Sequence, residues 1–199
     1  MSAKRTQRMI LARTWIVLVV LAAAPSFGAY DMYLKISGIP GESVDAGHRD
    51  WIDIQSAAHG MTSPVTFGQP SLGKPEHKPL RIVKFLDKAS PKLYVGLLSG
   101  EHFSSVTLQM HRRDDSRTRF LEIRFRDVVL ASIAPVAAGG DESQPTEEVS
   151  FIYSRIEWTY TVVDPFTGKP SGTVSGGWDV IANTPLPTTA VAPELLGLP

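Results

Sequence analysis

The side chains best suited to acid–base or metal chemistry are five histidines, His48, His59, His77, His102 and His111. None stands at the His-x-His or His-x-x-x-His spacing that puts two imidazoles on one face of a strand or helix. Glu101-His102 is the nearest thing to an acid–base couple. It falls just past an expected helix end, where a histidine serves more simply as a cation near unpaired carbonyls. Asp114-Asp115 and Asp141-Glu142 offer carboxylate clusters, but both lie in polar turns without the alternating ligand spacing of a calcium loop, and a solvated turn is the simpler reading. No Gly-x-Ser-x-Gly elbow and no Gly-x-x-x-x-Gly-Lys phosphate loop occurs. Cysteine is absent, which removes disulfides, thiolate metal sites and cysteine nucleophiles together. Trp51, Trp158, Tyr160 and Trp178 suggest a sugar-binding platform, although aromatics at alternate strand positions more often face a core or an interface. The sequence thus names no catalytic, cofactor-binding or metal-ligating residue, and a non-enzymatic protein is expected.

The elements that would carry these side chains are mostly strands. From Tyr30 onward short alternating runs are separated by Gly and Pro, the pattern of an antiparallel barrel or sandwich. Met32, Leu34 and Ile36 share one face of a first strand, with Tyr33, Lys35 and Ser37 on the other, before a turn over residues 38–43. Trp51, Ile52 and Ile54 mark a second strand. Residues 56–79, rich in Gly and Pro, read as one long loop, and such a loop in a compact domain usually has a role of its own. Leu80–Leu86 returns to strand, with Ile82 and Leu86 set against Val83 and Phe85, so burial on both faces is expected.

One helix follows, about Pro91–Ser99. Ser90 is its expected N-cap, Pro91 its first residue, Gly100 its stop, and Leu93, Leu97 and Leu98 its apolar stripe. Val106, Leu108 and Met110 alternate with Thr107, Gln109 and His111 in the next strand. Phe120–Ile133 changes phase at Asp127-Val128-Val129, which predicts a bulge or bend. A second slip near Ser154-Arg155 predicts another bend. Asp164–Lys169 is a turn, Gly176–Val180 a short last strand, and the Pro-rich tail over residues 182–199 is expected not to pack.

With 199 residues the chain can build one sizeable core. Its 20 basic and 20 acidic side chains balance. Residues 1–28 hold Lys4, Arg5, Arg8 and Arg13 and no acid, so without them sixteen basic face twenty acidic side chains. A mildly acidic domain lacks the basic face that phosphate binding needs, so no nucleic-acid partner is expected. The run from Trp15 to Ala24 is roughly half the ~20 residues of a membrane span. A basic start, this run, Pro25 and the small residues Ser26 and Gly28 read as a signal peptide rather than a stable membrane insertion. Cleavage there would make the protein secreted or periplasmic.

Short stretches in order along the chain carry a resemblance. Asp31–Ser43, Phe85–Leu93, Leu121-Glu122-Ile123 with Asp127-Val128, Glu147–Phe151 and Gly176–Val180 together resemble the haemolysin-coregulated (Hcp) tube proteins of the bacterial type VI secretion system, over about residues 31–181. The resemblance implies a β-barrel with one helix over residues 29–181. It implies a homohexameric ring, rings stacked into an inner tube, and spike, sheath and effector proteins as further partners. It assigns residues 56–79 to the family's extended loop, which reaches a neighbouring subunit or ring. Such proteins assemble in the cytoplasm and are expelled, normally without a signal peptide, so residues 1–28 depart from the family. The segment from Gln55 to Met61, without the family's common tryptophan, and the tail beyond Ile181 also depart. The reading from a different class is an exported monomeric β-barrel that binds effectors, glycans or a cell surface.

Overall fold

The computed structural model describes residues 30–64, 68, 73–114, 116–137 and 144–187. The signal-like segment 1–28, Asp115, Asp141, Glu142 and the tail from residue 188 lie outside the described residues. Among the described residues the fold is mainly antiparallel β with one helix. Its strands are β1 (Tyr30–Ile36), β2 (Ile52–Ile54), β3 (Ser56–Ala58), β4 (Met61–Thr62), β5 (Glu76–His77), β6 (Leu80–Phe85), β7 (His102–Arg112), β8 (Arg119–Val136), β9 (Thr146–Val163), β10 (Pro170–Asp179) and β11 (Thr184–Pro185). The helix α1 spans Ser90–Ser99.

Ladders run from β6 through the first half of β9 to β8, β7, β1 and β2. β3 pairs with β6 on that strand's other edge. No ladder joins β2 to β3, so strand pairing alone does not close the sheet. The chain makes the link: only Gln55 separates them, and its N–H donates to the Val83 carbonyl at 2.8 Å. The second half of β9 runs past this body and pairs with β10, forming a wing.

Alternation explains the core. Met32, Leu34, Ile36, Ile52, Ile54, Leu80, Ile82, Val106, Leu108, Phe125, Val149 and Phe151 are buried in one cluster, with Leu93 of the helix pressed on it. Buried positions change parity at one level of three adjacent strands: Phe103 to Val106, Phe125 to Val128, and Tyr153 to Ile156. Asp127, with φ 49°, lies at that level and is skipped in the pairing with both neighbours. Side chains alternate strictly in a strand, so keeping the core on one side while three strands bend needs such a switch. The expected bend at residues 127–129 and the slip at Ser154-Arg155 are therefore one feature. The register shift between β8 and β9 lies elsewhere, between Leu130 and Ser132.

Several expectations are corrected. Residues 56–79 are not one loop: Ser56-Ala57-Ala58 is a strand, and Met61-Thr62 pairs with Glu76-His77 as a small separate ladder. β6 is not buried on both faces. Leu80, Ile82 and Lys84 point inward, while Phe85 and Leu86 are exposed. Ser90 does not cap the helix. Ala89 holds that position, and the Ser90 hydroxyl donates instead to Glu147. Gly100 ends the helix in the left-handed region at φ 65°, as expected. Leu98 is 86% exposed and leaves the stripe to Leu93 and Leu97. Residues 184–185 pair as β11 with the end of β10, although both are exposed.

Candidate functional site

The site is best read as a set of surfaces, each held by polar groups that distant strands bring together. The first anchors the small β4–β5 ladder to the body. His59 and His77 close upon Tyr153 of β9, with His59 Nε2 at 2.5 Å and His77 Nδ1 at 3.3 Å from the phenol oxygen. Burial lowers the basicity of both imidazoles; a charge on His77 would lower that of His59 further, and the Lys74 ammonium lowers that of His77. Burial likewise raises the Tyr153 phenol. Two neutral rings and an intact hydroxyl suit this arrangement, since the hydroxyl can donate to one ring and accept from the other.

The second surface is the outer face of β1, β7 and β8. His48 Nδ1 donates to Asp45 at 2.8 Å, and Nε2 meets the Gln109 amide oxygen at 2.8 Å. The amide orientation follows from Glu122, which can only accept and takes the Gln109 N–H at 2.6 Å. His111 Nε2 approaches the same amide oxygen at 3.2 Å. Asp45 is held down to about 2, first by the His48 hydrogen bond and then by Arg117 and the Gly47 N–H. The His48 ring stacks on Tyr33 with centroids 4.0 Å apart, which explains why Tyr33 is buried on the polar face. An Asp–His pair suggests catalysis, yet its far nitrogen faces an amide oxygen, not a hydroxyl or thiol. The geometry fixes a loop to a sheet.

The third is the wing. Tyr160, Val162 and Val174 are exposed on one face of its paired strands, and Phe166 stands 96% exposed at its tip. On its other side a groove of about 1050 Å³ runs from Ser104, Asp127 and Ser154 to Ser175, Gly177 and Leu186. His102 lines it, hydrogen-bonded to Asp127 at 3.1 Å rather than to Glu101. The tryptophans do not form a platform. Trp158 and Trp178 pack against the core, and Trp51 lies edge-on to His48 with Lys35 over its ring.

The described residues show no group of three or more His, Asp or Glu able to hold a metal, and no helix long and apolar enough to cross a membrane. Sequence reasoning missed Lys84 and Glu147, both fully buried. Lys84 Nζ meets Glu147, Asp87 and the Phe85 carbonyl, each at 2.8 Å, and Ser90 at 3.1 Å. Glu147 also accepts from Ser90 and Tyr94. Two of the short resembling stretches, Phe85–Leu93 and Glu147–Phe151, are thus joined in space by the Ser90–Glu147 hydrogen bond, beside the Lys84 ammonium.

These features define an antiparallel β scaffold whose distinctive groups serve anchoring and contact. A family model described as "Type VI secretion system effector, Hcp" matches residues 33–160. Protein hcp1 of Pseudomonas aeruginosa is 28% identical over 159 residues, 78% of this chain and 98% of the relative. The "Major exported protein" of the same organism is 31% identical over 131 residues, 61% of this chain and 76% of the relative. Among solved structures, one of a type six secretion system protein has a TM-score of 0.75 at 29% identity, covering 79% of this chain and 100% of its own. Hcp1 from Salmonella typhimurium has a TM-score of 0.68 at 30% identity, covering 79% and 99%.

The chain belongs to the Hcp family of type VI secretion tube proteins, a structural component of that system.

Proposed function

We propose that copies of this chain assemble side by side into a six-membered ring, and that rings stack into a tube able to hold effectors. The observation that carries this reading is a pair of unlike apolar patches left uncovered on one chain. Phe85 and Val136 form one, flanking Thr146 across β6, β9 and β8. Tyr160, Val162 and Val174 form the other on the wing. Thr146, between Phe85 and Val136, and Tyr160 lie near opposite ends of β9, so the patches are about 46 Å apart along that strand. A two-fold dimer brings one patch onto itself, whereas two unlike patches suit head-to-tail contacts that close into a ring. The β4–β5 ladder and the residues it brackets are assigned to contact between stacked rings.

Sedimentation tests the ring: a species of about six chains is expected, and a strictly monomeric profile at high concentration overturns it. Deleting residues 62–78 should leave a folded body that forms rings without stacking. Tubes built by that deletion would overturn the loop assignment. We assign residues 1–28 to an export signal removed near Ala29, on the basic-then-apolar pattern alone, and N-terminal sequencing of protein from its own cell tests this. The domain is taken to work without catalysis, on the side of assembly rather than chemistry.

A further inference from the structure

On the outer face of β7, Gln109 and His111 stand two residues apart and so project to one side of the strand. His48, from the segment between β1 and β2, meets them there. Both imidazoles turn Nε2 to one point, for the Gln109 amide oxygen lies 2.8 Å from His48 and 3.2 Å from His111. Both also have the other nitrogen engaged. His48 Nδ1 faces the Asp45 carboxylate at 2.8 Å, and His111 Nδ1 faces the Arg117 carbonyl at 3.1 Å. Those partners can only accept, so both Nδ1 atoms carry the proton. In the neutral rings, two Nε2 lone pairs are then aimed at an oxygen that also only accepts. The amide cannot turn over to relieve this, because Glu122 takes its N–H at 2.6 Å and is itself bound by Arg119 and Arg124. A proton on His48 would relieve one of the two contacts. A second proton, on His111, would set two like charges on rings with centroids 4.5 Å apart. One divalent ion relieves both contacts at once.

We propose that His48 Nε2, His111 Nε2 and the Gln109 amide oxygen form a site for a divalent transition metal, with Zn²⁺ as the ion, that fastens the segment between β1 and β2 to β7. The outer contacts are those of a built site. A ligating histidine ordinarily passes its other ring N–H to a carboxylate or a backbone carbonyl, and here His48 does the first and His111 the second. Imidazole nitrogen suits zinc, copper and nickel, whereas calcium and magnesium take oxygen. Tetrahedral zinc holds its nitrogen and oxygen ligands about 3.4 Å apart, so the contacts at 2.8 and 3.2 Å need open by only about 0.6 and 0.2 Å. All three ligands line a cavity of about 790 Å³ that opens to solvent, so an ion has a way in and water can complete the four-coordinate shell. Arg117 and Arg119 are tied to Asp45 and Glu122, so neither guanidinium enters the gap unpaired. The inference goes beyond ring formation and does not depend on it, because all three ligands belong to one chain.

Zinc chloride titrated into the full chain, followed by the ring-nitrogen NMR signals of the histidines, tests the site. One equivalent should move the Nε2 signals of His48 and His111 and leave those of His59, His77 and His102 in place. In calorimetry, His111→Ala should bind zinc at least about tenfold more weakly than the wild type. Asp45→Asn, which keeps an acceptor on His48 but removes its charge, should also lose about tenfold. His102→Ala should bind as the wild type does. Asp45 also holds Arg117, so far-UV circular dichroism checks that each variant is folded. His111 is only half-buried, and its variant carries the test if Asp45→Asn does not fold. Millimolar zinc that leaves the His48 and His111 signals unmoved overturns the proposal and assigns the cluster to a shared proton. Zinc that binds His111→Ala as tightly as the wild type, or that moves the other histidines first, overturns it as well.

Discussion

Replacing one member of the Lys84–Glu147 pair should be among the most costly single changes in the domain. Both side chains are fully buried, and every polar atom of the ammonium has a partner. Removing Lys84 as Lys84→Met leaves the Glu147 carboxylate in the core with only the Ser90 and Tyr94 hydroxyls, and Asp87 with the Ala89 N–H. Breaking a buried pair this way costs about 3–5 kcal/mol. With a urea dependence of about 2 kcal/mol per molar, the midpoint should fall by roughly 1.5–2.5 M. Glu147→Leu alone should cost a similar amount, since it strands the cation instead. The double variant Lys84→Met with Glu147→Leu should recover most of the loss, because a matched apolar pair of similar volume often equals a buried ion pair. Some deficit should remain from Asp87. Urea unfolding of all four proteins at one concentration, followed by far-UV circular dichroism, completes the cycle; fixed concentration matters because assembly adds to apparent stability. Single variants within about 1 kcal/mol of the wild type, or a double variant as unstable as both losses added, would refute the reasoning.

Two further changes read other parts of the structure. His59 and His77 have lowered proton affinity in the folded protein, so their contribution is complete above the unfolded value of about 6.5 and is lost as the pH falls below it. Exchange of the Met61, Thr62, Glu76 and His77 amides, corrected for intrinsic rate, should therefore speed up between pH 7.5 and pH 5, and Tyr153→Phe should flatten that change. Unaltered protection across the range would show that the cluster does not hold the ladder. A Cβ at Gly41 would stand 2.3 Å from the Trp51 carbonyl oxygen and 2.7 Å from the Ile52 Cα, all rigid backbone. Gly41→Ala should thus cost about 3 kcal/mol in thermal or urea unfolding, at the upper end for overpacking, and a loss under about 1 kcal/mol would mean that the turn yields freely.

What could be read from the sequence follows from how local each interaction is. β1, β7 and the inward positions of β8 were legible because alternation is a property of consecutive residues. The helix was legible through Pro91 and Gly100, which act on their own backbone. Lys84 was not, since a lysine in a strand reads as an outward position until Glu147 is brought to it. β3 was not, since Ser56-Ala57-Ala58 carries no large apolar side chain and gains its strand character from pairing with β6. Among candidate site residues, the scattered histidines looked unrelated. Only the fold places His59 and His77 on one phenol and His48 and His111 on one amide. The break in alternation at Asp127 and at Ser154 was visible strand by strand, but that both belong to one bend, shared by Ser104 on β7, is a property of register.

That shared bend shapes the contact surfaces. With the switch, β8 and β9 serve the core on both sides of Asp127 and still extend as straight ladders beyond it. Without it, either Phe103, Val128 and Tyr153 or Val106, Phe125 and Ile156 would turn to water, because each set lies on the opposite parity from the core residues beyond the bend. The extension carries apolar side chains past the point where this chain has a core to receive them, which is why Tyr160 and Val162 are exposed although they continue the face of the buried Ile156. Exposed apolar strands joined to a rigid body are an aggregation hazard unless something specific covers them. In the ring proposed above, a neighbouring copy would cover this face. The exposed face arises from a body that pairs its strands further than it can bury them.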